Sequence, residues 1–299
     1  MTVAITRPKS FPISALAVIA AGGWLYAPAI ADMVHSWATQ DNASHGFLIL
    51  PIAAYLAWLR RDQIAAVYVA QPPSAVSGAA GLAGAALAVA IYIAGSWMEI
   101  EFAPPLSLVL MIGAQVLYFG GWGVLRVLAF PCAFLLFMVP WPDLLVEFIS
   151  FPMQLLSAKY ATMLTGLVGI PVARSGVDIH LAHYSFTVAV PCSGMKALVA
   201  LMALAALMAY LARGQMWRRA ALFALGAPVA LAANIGRIFA ILLIATFAGA
   251  HAAEGFFHGA SGVLVFVFAL GGLLLIGRAL GLRGILGESR KVVADAQPR

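Results

Sequence analysis

Apolar residues run through this chain in long blocks, and the few charged residues fall between the blocks instead of alternating with them. Stretches free of Lys, Arg, Asp and Glu cover 11–31, 42–59, 63–98, 102–125, 127–142, 197–212, 220–236 and 255–277. A helix rises ~1.5 Å per residue and a bilayer's hydrocarbon core is ~30 Å thick, so a spanning helix needs about 20 apolar residues, with latitude for tilt and snorkelling ends. The pattern predicts an all-α polytopic membrane protein with eight transmembrane helices near 12–31, 45–59, 76–97, 103–120, 123–139, 192–212, 218–248 and 260–279. Two intervals disturb the rhythm. Residues 220–253 hold one charge, Arg237, and as continuous helix would reach ~50 Å; one crossing, kinked near Pro228, is expected. Residues 144–170 carry Glu147, Pro152, Gln154 and Lys159 and read as a helix lying on or dipping into the outer interface.

The charges set the sidedness. Alternating from a cytoplasmic start puts thirteen of the seventeen Lys and Arg residues on one side, among them Arg60, Arg126, Arg213, Arg218, Arg219 and Arg283, and leaves Lys159, Arg174, Lys196 and Arg237 for the other. That bias predicts cytoplasmic termini. Asp32, Asp41, Glu99, Glu101, Asp143, Glu147, Asp178 and Glu254 gather on the outer side. Composition agrees: 64% of the chain is hydrophobic and 9% charged, with a mean hydropathy of +0.99, against roughly 25% charged in soluble domains. A soluble enzyme is excluded, as is a disulfide-stapled scaffold, since there are 2 Cys. The net charge of +6 reflects orientation and gives no reason to expect nucleic acid as a partner; the lipid bilayer is the expected surrounding. Residues 1–286 are expected to form one integral membrane domain and 287–299 a disordered cytoplasmic tail. The first apolar run is long enough to read as a retained helix rather than a cleaved signal. The Ala- and Gly-rich run 78–90 predicts close helix packing through small residues.

Ionisable groups inside apolar helices cost about 2.5–3.5 kcal/mol at mid-membrane and so call for a function or a partner. Arg237 is the clearest, with Asn234 three positions earlier on the same helical face. Cys192 stands in Val190-Pro191-Cys192-Ser193-Gly194, between the β-branched and aromatic stretch 184–190, which reads as extended, and a helix starting at Cys192 or Ser193. A helix N-terminus, with Lys196 one turn on, lowers a thiol's pKa and favours the thiolate. His258 lies on the outer side before the last helix, and His45 at the outer start of the second. The predicted topology thus brings a nucleophile, a cation for a developing anion and a general acid/base to one face of the membrane, a set suited to acyl transfer. Each residue also has a plainer reading: Cys192 as a small buried apolar group, Arg237 as an ion-pair partner of Glu254, His258 as an interfacial histidine, and His45 as a helix cap or substrate-orienting group. Cys132 reads as core. His180 and His183 near Asp178 do not complete a metal-ligand set, and no metal or cofactor is expected.

These residues resemble the exosortase/archaeosortase family of multi-pass membrane transpeptidases. The resemblance rests on Cys192-Ser193-Gly194 opening a helix, Asn234-Ile235-Gly236-Arg237 in the next, Phe257-His258 before the last, the early Ser44-His45-Gly46-Phe47-Leu48, and the segment from Pro140 to Pro171. It implies Cys192 as nucleophile with Arg237 and His258 as the other catalytic residues, and Ser193, Gly194, Lys196, Asn234 and His45 as candidates for support or substrate binding. His258, rather than arginine, is similar to the bacterial branch, whereas Pro191 departs from its best-known group; no fused periplasmic domain is expected. The resemblance further implies a cell (inner) membrane enzyme, with its site at the periplasmic face. Its partners would be exported proteins ending in a Pro-Glu-Pro-like motif, a transmembrane helix and a basic tail, cleaved through a thioester. Other readings stand beside it: a transporter or anion-binding protein using Arg237 and Asn234, a membrane acyltransferase using His258 or His45, and an inert scaffold for exopolysaccharide export.

Overall fold

The computed structural model describes residues 13–40, 43–182, 184–188, 195–259 and 261–284. Helix dominates, as the apolar blocks predict. The helices are α1 (Ile13–Thr39), α2 (Gly46–Leu59), α3 (Arg61–Ala70), α4 (Ala75–Trp97), α5 (Ala103–Phe134, prolonged by a 3-10 turn Leu135–Met138), α6 (Asp143–Leu167), α7 (Met195–Leu211), α8 (Met216–Ala224), α9 (Gly226–Ala248), α10 (Ala250–Gly259) and α11 (Ser261–Ala279). Three short strands, β1 (Val172–Ser175), β2 (Asp178–Leu181) and β3 (Ser185–Thr187), lie between α6 and α7. Among the described residues, four helical stretches are long and apolar enough to cross a membrane: Ala75–Trp97, Ala103–Met138, Met216–Ala248 and Gly262–Ala279. Gly46–Leu59 and Leu198–Leu211 are shorter and equally apolar in character. The chain is a multi-pass membrane protein. The expected tail 287–299 lies outside the described residues.

Residue contacts divide the chain into two units. The first comprises residues up to Thr39 and Phe47–Pro140, and its centre is the α4–α5 pair. Small residues set the separation of these helices: a β-carbon at Gly81 would fall 2.7 Å from Tyr118 Cβ, and one at Gly84 would fall 3.2 Å from Ala114 Cβ, while Gly95 faces Ala103. The Gly/Ala run packs as its composition predicts. The helices expected at 103–120 and 123–139 form one helical run interrupted at Gly121 (φ 75°, ψ 179°), a conformation that only glycine adopts without strain. α1 packs against α5, with Tyr26 buried against Tyr92 in an edge-on ring contact of 5.0 Å. Trp37 ties the far end of α1 to the turn after α5 by donating its indole N–H to the Met138 carbonyl at 2.9 Å. α3, which the apolar pattern does not foresee, lies on α5.

The second unit comprises Gln40–Gly46 and Trp141 onward, and α9 is its axis: α6, α7, α8, α10 and α11 all pack on it. Near Pro228, where a kink is expected, the helical pattern lapses at one residue, Leu225, whose backbone stays right-handed helical (φ −72°, ψ −9°), and Met216–Ala248 runs as one helical stretch. A proline in a helix clashes with the carbonyl four residues earlier, and here that residue is Ala224, the last of α8. The N-terminal part of α9 buries Ala230 against Leu201 of α7 and Ala269 of α11. Its later part buries Ile238, Ile241, Leu242 and Ala245 against Ala158 and Ala161 of α6, Ile179 and Phe186 of the sheet, Val188, and Ala253 of α10.

Four of the basic residues read as cytoplasmic, Arg213, Arg218, Arg219 and Arg283, lie near the N-terminal end of α9. Arg219 donates to the carbonyls of Ala209 (2.6 Å) and Tyr210 (3.1 Å) at the end of α7, and Arg218 donates to Leu280 after α11 (3.2 Å). Each cation meets the carbonyl-rich, negative end of a helix. The sheet lies toward the opposite end of α9. Its strand order is β1-β2-β3, antiparallel throughout, with Ile179 opposite Phe186 and Asp178 opposite Thr187. The extended reading of 184–190 agrees with β3 over its described part.

Candidate catalytic site

Arg237 lies in α9 and is 9% exposed. Asn234, one turn before it, is fully buried, and its side-chain amide donates to Ser157 Oγ of α6 at 3.0 Å. The two side chains share a helical face because they are three residues apart. Burial of a guanidinium within an apolar helix is costly, and the neighbouring α6, which packs on α9, carries buried polar groups of its own. Ser150, Gln154, Ser157 and Thr165 are all buried, at spacings of four, three and eight residues that keep them near one stripe of the helix. Thr165 satisfies itself by donating to the Ala161 carbonyl at 2.9 Å.

Sequence reasoning missed Ser157 and its neighbours on α6. The signal was available: four small or amide residues at helical spacing among Leu, Phe, Met and Ala are what a helix shows when it packs against a polar neighbour. Glu147 and Lys159 in the same segment drew the reading toward an exposed interfacial helix instead. Glu254, the alternative partner weighed for Arg237, is exposed on α10.

The remaining candidates are distributed as follows. Cys192, Ser193 and Gly194 lie outside the described residues, in the interval between Val188, buried in the core around α9, and Met195, where α7 begins. Lys196 is the second residue of α7. His258 is the penultimate residue of α10, a helix that packs on both α9 and α11 and buries Ala253 in the α9 core. Gly249, with φ 88°, allows the chain to break between α9 and α10 where an L side chain would be strained. His45 closes the turn before α2 and is half-buried. Cys132 sits within α5 and is a free thiol.

On the sheet, the residues considered for metal are engaged differently. His180 Nδ1 lies 3.0 Å from Ser185 Oγ, and Thr187 Oγ1 donates to Asp178 Oδ1 at 2.7 Å. Both are cross-strand pairs on the exposed face, where such contacts hold register. His183 lies outside the described residues.

The chain matches the transmembrane exosortase family (Exosortase_EpsH) over residues 37–275. No curated protein and no solved structure matches it.

Proposed function

The chain belongs to the transmembrane exosortase family, a family of membrane cysteine transpeptidases, and from that premise we propose that it cleaves the C-terminal sorting signal of exported proteins with Cys192 as nucleophile. The observation that carries this reading is the buried Arg237–Asn234 pair on α9, the helix on which α7, following Cys192, and α10, holding His258, both pack. Chain length supports it as well: Cys192 is four residues from Val188 and three from Met195, hence within ~14 Å and ~11 Å of their α-carbons at full extension.

In the proposed reaction the Cys192 thiolate attacks the scissile carbonyl carbon, forming a C–S bond and an oxyanion that Arg237 stabilises. The C–N bond then breaks, the electron pair leaves with nitrogen, and His258 supplies its proton. The thioester is resolved by an amine acceptor or by water, which takes the acyl group and returns the thiolate. Ser193, Gly194, Lys196, Asn234 and His45 support the site or the bound peptide. The substrate carries a Pro-Glu-Pro-like motif, a transmembrane helix and a basic tail, and the bilayer holds its outer juxtamembrane peptide at the level of the site. The enzyme acts in the bacterial inner membrane with its site at the periplasmic face.

An anion transporter built on Arg237 is less well supported. It calls for a helix break at the cation, whereas Arg237 lies in the middle of α9, Gly226–Ala248.

Co-expression of a signal-bearing protein with wild type, Cys192→Ala and Arg237→Ala tests the proposal. Wild type should remove the substrate's C-terminal helix, Cys192→Ala should leave it intact, and Arg237→Ala should slow cleavage by 100-fold or more, a loss on the order of that for an oxyanion-stabilising donor. Normal cleavage by Cys192→Ala would exclude the thiol mechanism.

A further inference from the structure

We infer that the free edge of β3 is where the substrate binds, as an added strand: an extended peptide flanking the scissile bond pairs with the backbone of Ser185 and Thr187. This rests on the thiol-protease reading above, and it specifies how the peptide is held.

The register shows which groups are available. Leu181 N–H donates to the Tyr184 carbonyl at 2.7 Å and Val188 N–H to the Val177 carbonyl at 3.1 Å, with Ile179 opposite Phe186 between them. In an antiparallel pair, backbone groups alternate toward and away from the partner strand. Residues 184, 186 and 188 therefore bond inward to β2, and Ser185 and Thr187 turn their N–H and C=O outward. β3 is the last strand of the sheet, and among the described residues no backbone group outside the sheet bonds to Ser185 or Thr187. Both residues are exposed.

Three features favour a peptide as occupant. Edge strands are usually blunted by lysine, proline or a covering element, because an open row of donors and acceptors invites another chain. The run Tyr184-Ser185-Phe186-Thr187-Val188-Ala189-Val190 carries no charge and no proline. The edge is anchored from behind, since Phe186, Ile179 and Val188 are buried against α6 and α9, so pairing costs little ordering on the enzyme's side. The side chains of Ser185 and Thr187 are already committed to His180 and Asp178, so what remains free is backbone, which recognises any extended sequence. The other edge strand, β1, lies against α6. Thr187 is five residues before Cys192, hence at most ~18 Å from it at full extension, a distance that about five residues of extended peptide can span.

The test uses the purified full-length enzyme in detergent and a synthetic peptide with a Pro-Glu-Pro segment, a transmembrane helix and a basic tail. Thr187→Pro removes one outward N–H at a position where an edge strand tolerates proline. It should raise KM about five- to ten-fold, the usual worth of a hydrogen bond with a steric block, with kcat within about two-fold. Should Thr187→Pro fail to fold, wild type assayed with peptides N-methylated at successive non-proline positions gives an independent answer: KM should rise at alternate residues near the cleavage point. Uniform tolerance of N-methylation, or an unchanged KM in a folded Thr187→Pro enzyme, would overturn the inference. So would a dimer of the wild type that Thr187→Pro dissociates without changing KM, since the edge would then be paired with a second copy. Cleavage by Cys192→Ala would instead sink the underlying reading, so the two failures are separable.

Discussion

A guanidinium and a carboxamide three residues apart are the costliest side chains that α9 carries into the interior of its unit. Asn234 spends one donor on Ser157 of α6. In membrane proteins such interhelical bonds are worth about 0.6 kcal/mol on average and up to ~1.7. A double-mutant cycle over Ser157→Ala and Asn234→Leu, read by unfolding in detergent, should give a coupling energy of roughly 0.5–1.5 kcal/mol. Additive effects would mean that the bond between α6 and α9 contributes nothing to the fold. The residues proposed to carry the chemistry stand out in the sequence because an apolar background makes each one conspicuous. Ser157 does not, because a serine in a helix is cheap wherever it falls, and its significance depends on what lies opposite.

At the scale of elements, apolar blocks mark helices, and their interruptions mark where helices end. Pro228 is an instance: it has no N–H to give the Ala224 carbonyl, and the helical pattern lapses at the next residue, Leu225. The α4–α5 pair shows the complementary effect of size. Gly78 would place a β-carbon with nothing within 4 Å, whereas Gly81 would press one against Tyr118 at 2.7 Å. Gly78→Ala is therefore expected to be neutral or to stabilise by about 0.5–1 kcal/mol through helix propensity. Gly81→Ala should destabilise by about 1–3 kcal/mol through overpacking. Thermal unfolding of the two variants in the same detergent checks the contrast, and equal shifts would show that small residues do not set the separation of these helices. The α3 segment escaped notice because ten residues are too few for a spanning pattern. α6 was misjudged in emphasis: its charges are real, but it also buries a polar stripe against α9.

For the molecule as a whole, Arg213, Arg218, Arg219 and Arg283 lie at one end of α9 and the sheet toward the other, and the positive-inside rule assigns the first end to the cytoplasm as an expectation that fusions test. A periplasm-dependent alkaline phosphatase inserted at Gly176, in the β1–β2 turn, should be active. A cytoplasm-dependent fluorescent protein fused after Gly284 should fluoresce. The opposite pair of signals would invert the orientation and move Cys192 to the cytoplasmic side, where an exported substrate's juxtamembrane peptide does not lie.

Residence in a bilayer, the positions of most helices, the bias of charge and the identity of the unusual side chains were determined by the sequence alone. Each of these is a local property, set by the transfer of single residues or single helices between water and hydrocarbon. Tertiary structure decided the rest: that α9 is the axis of its unit, that Ser157 of α6 meets Asn234, that Gly81 touches Tyr118, and that, among the described residues, β3 is an edge strand of the sheet. These depend on pairings between residues far apart in the chain. A pattern of apolar positions says that a face is buried, but only the packed fold says against which partner.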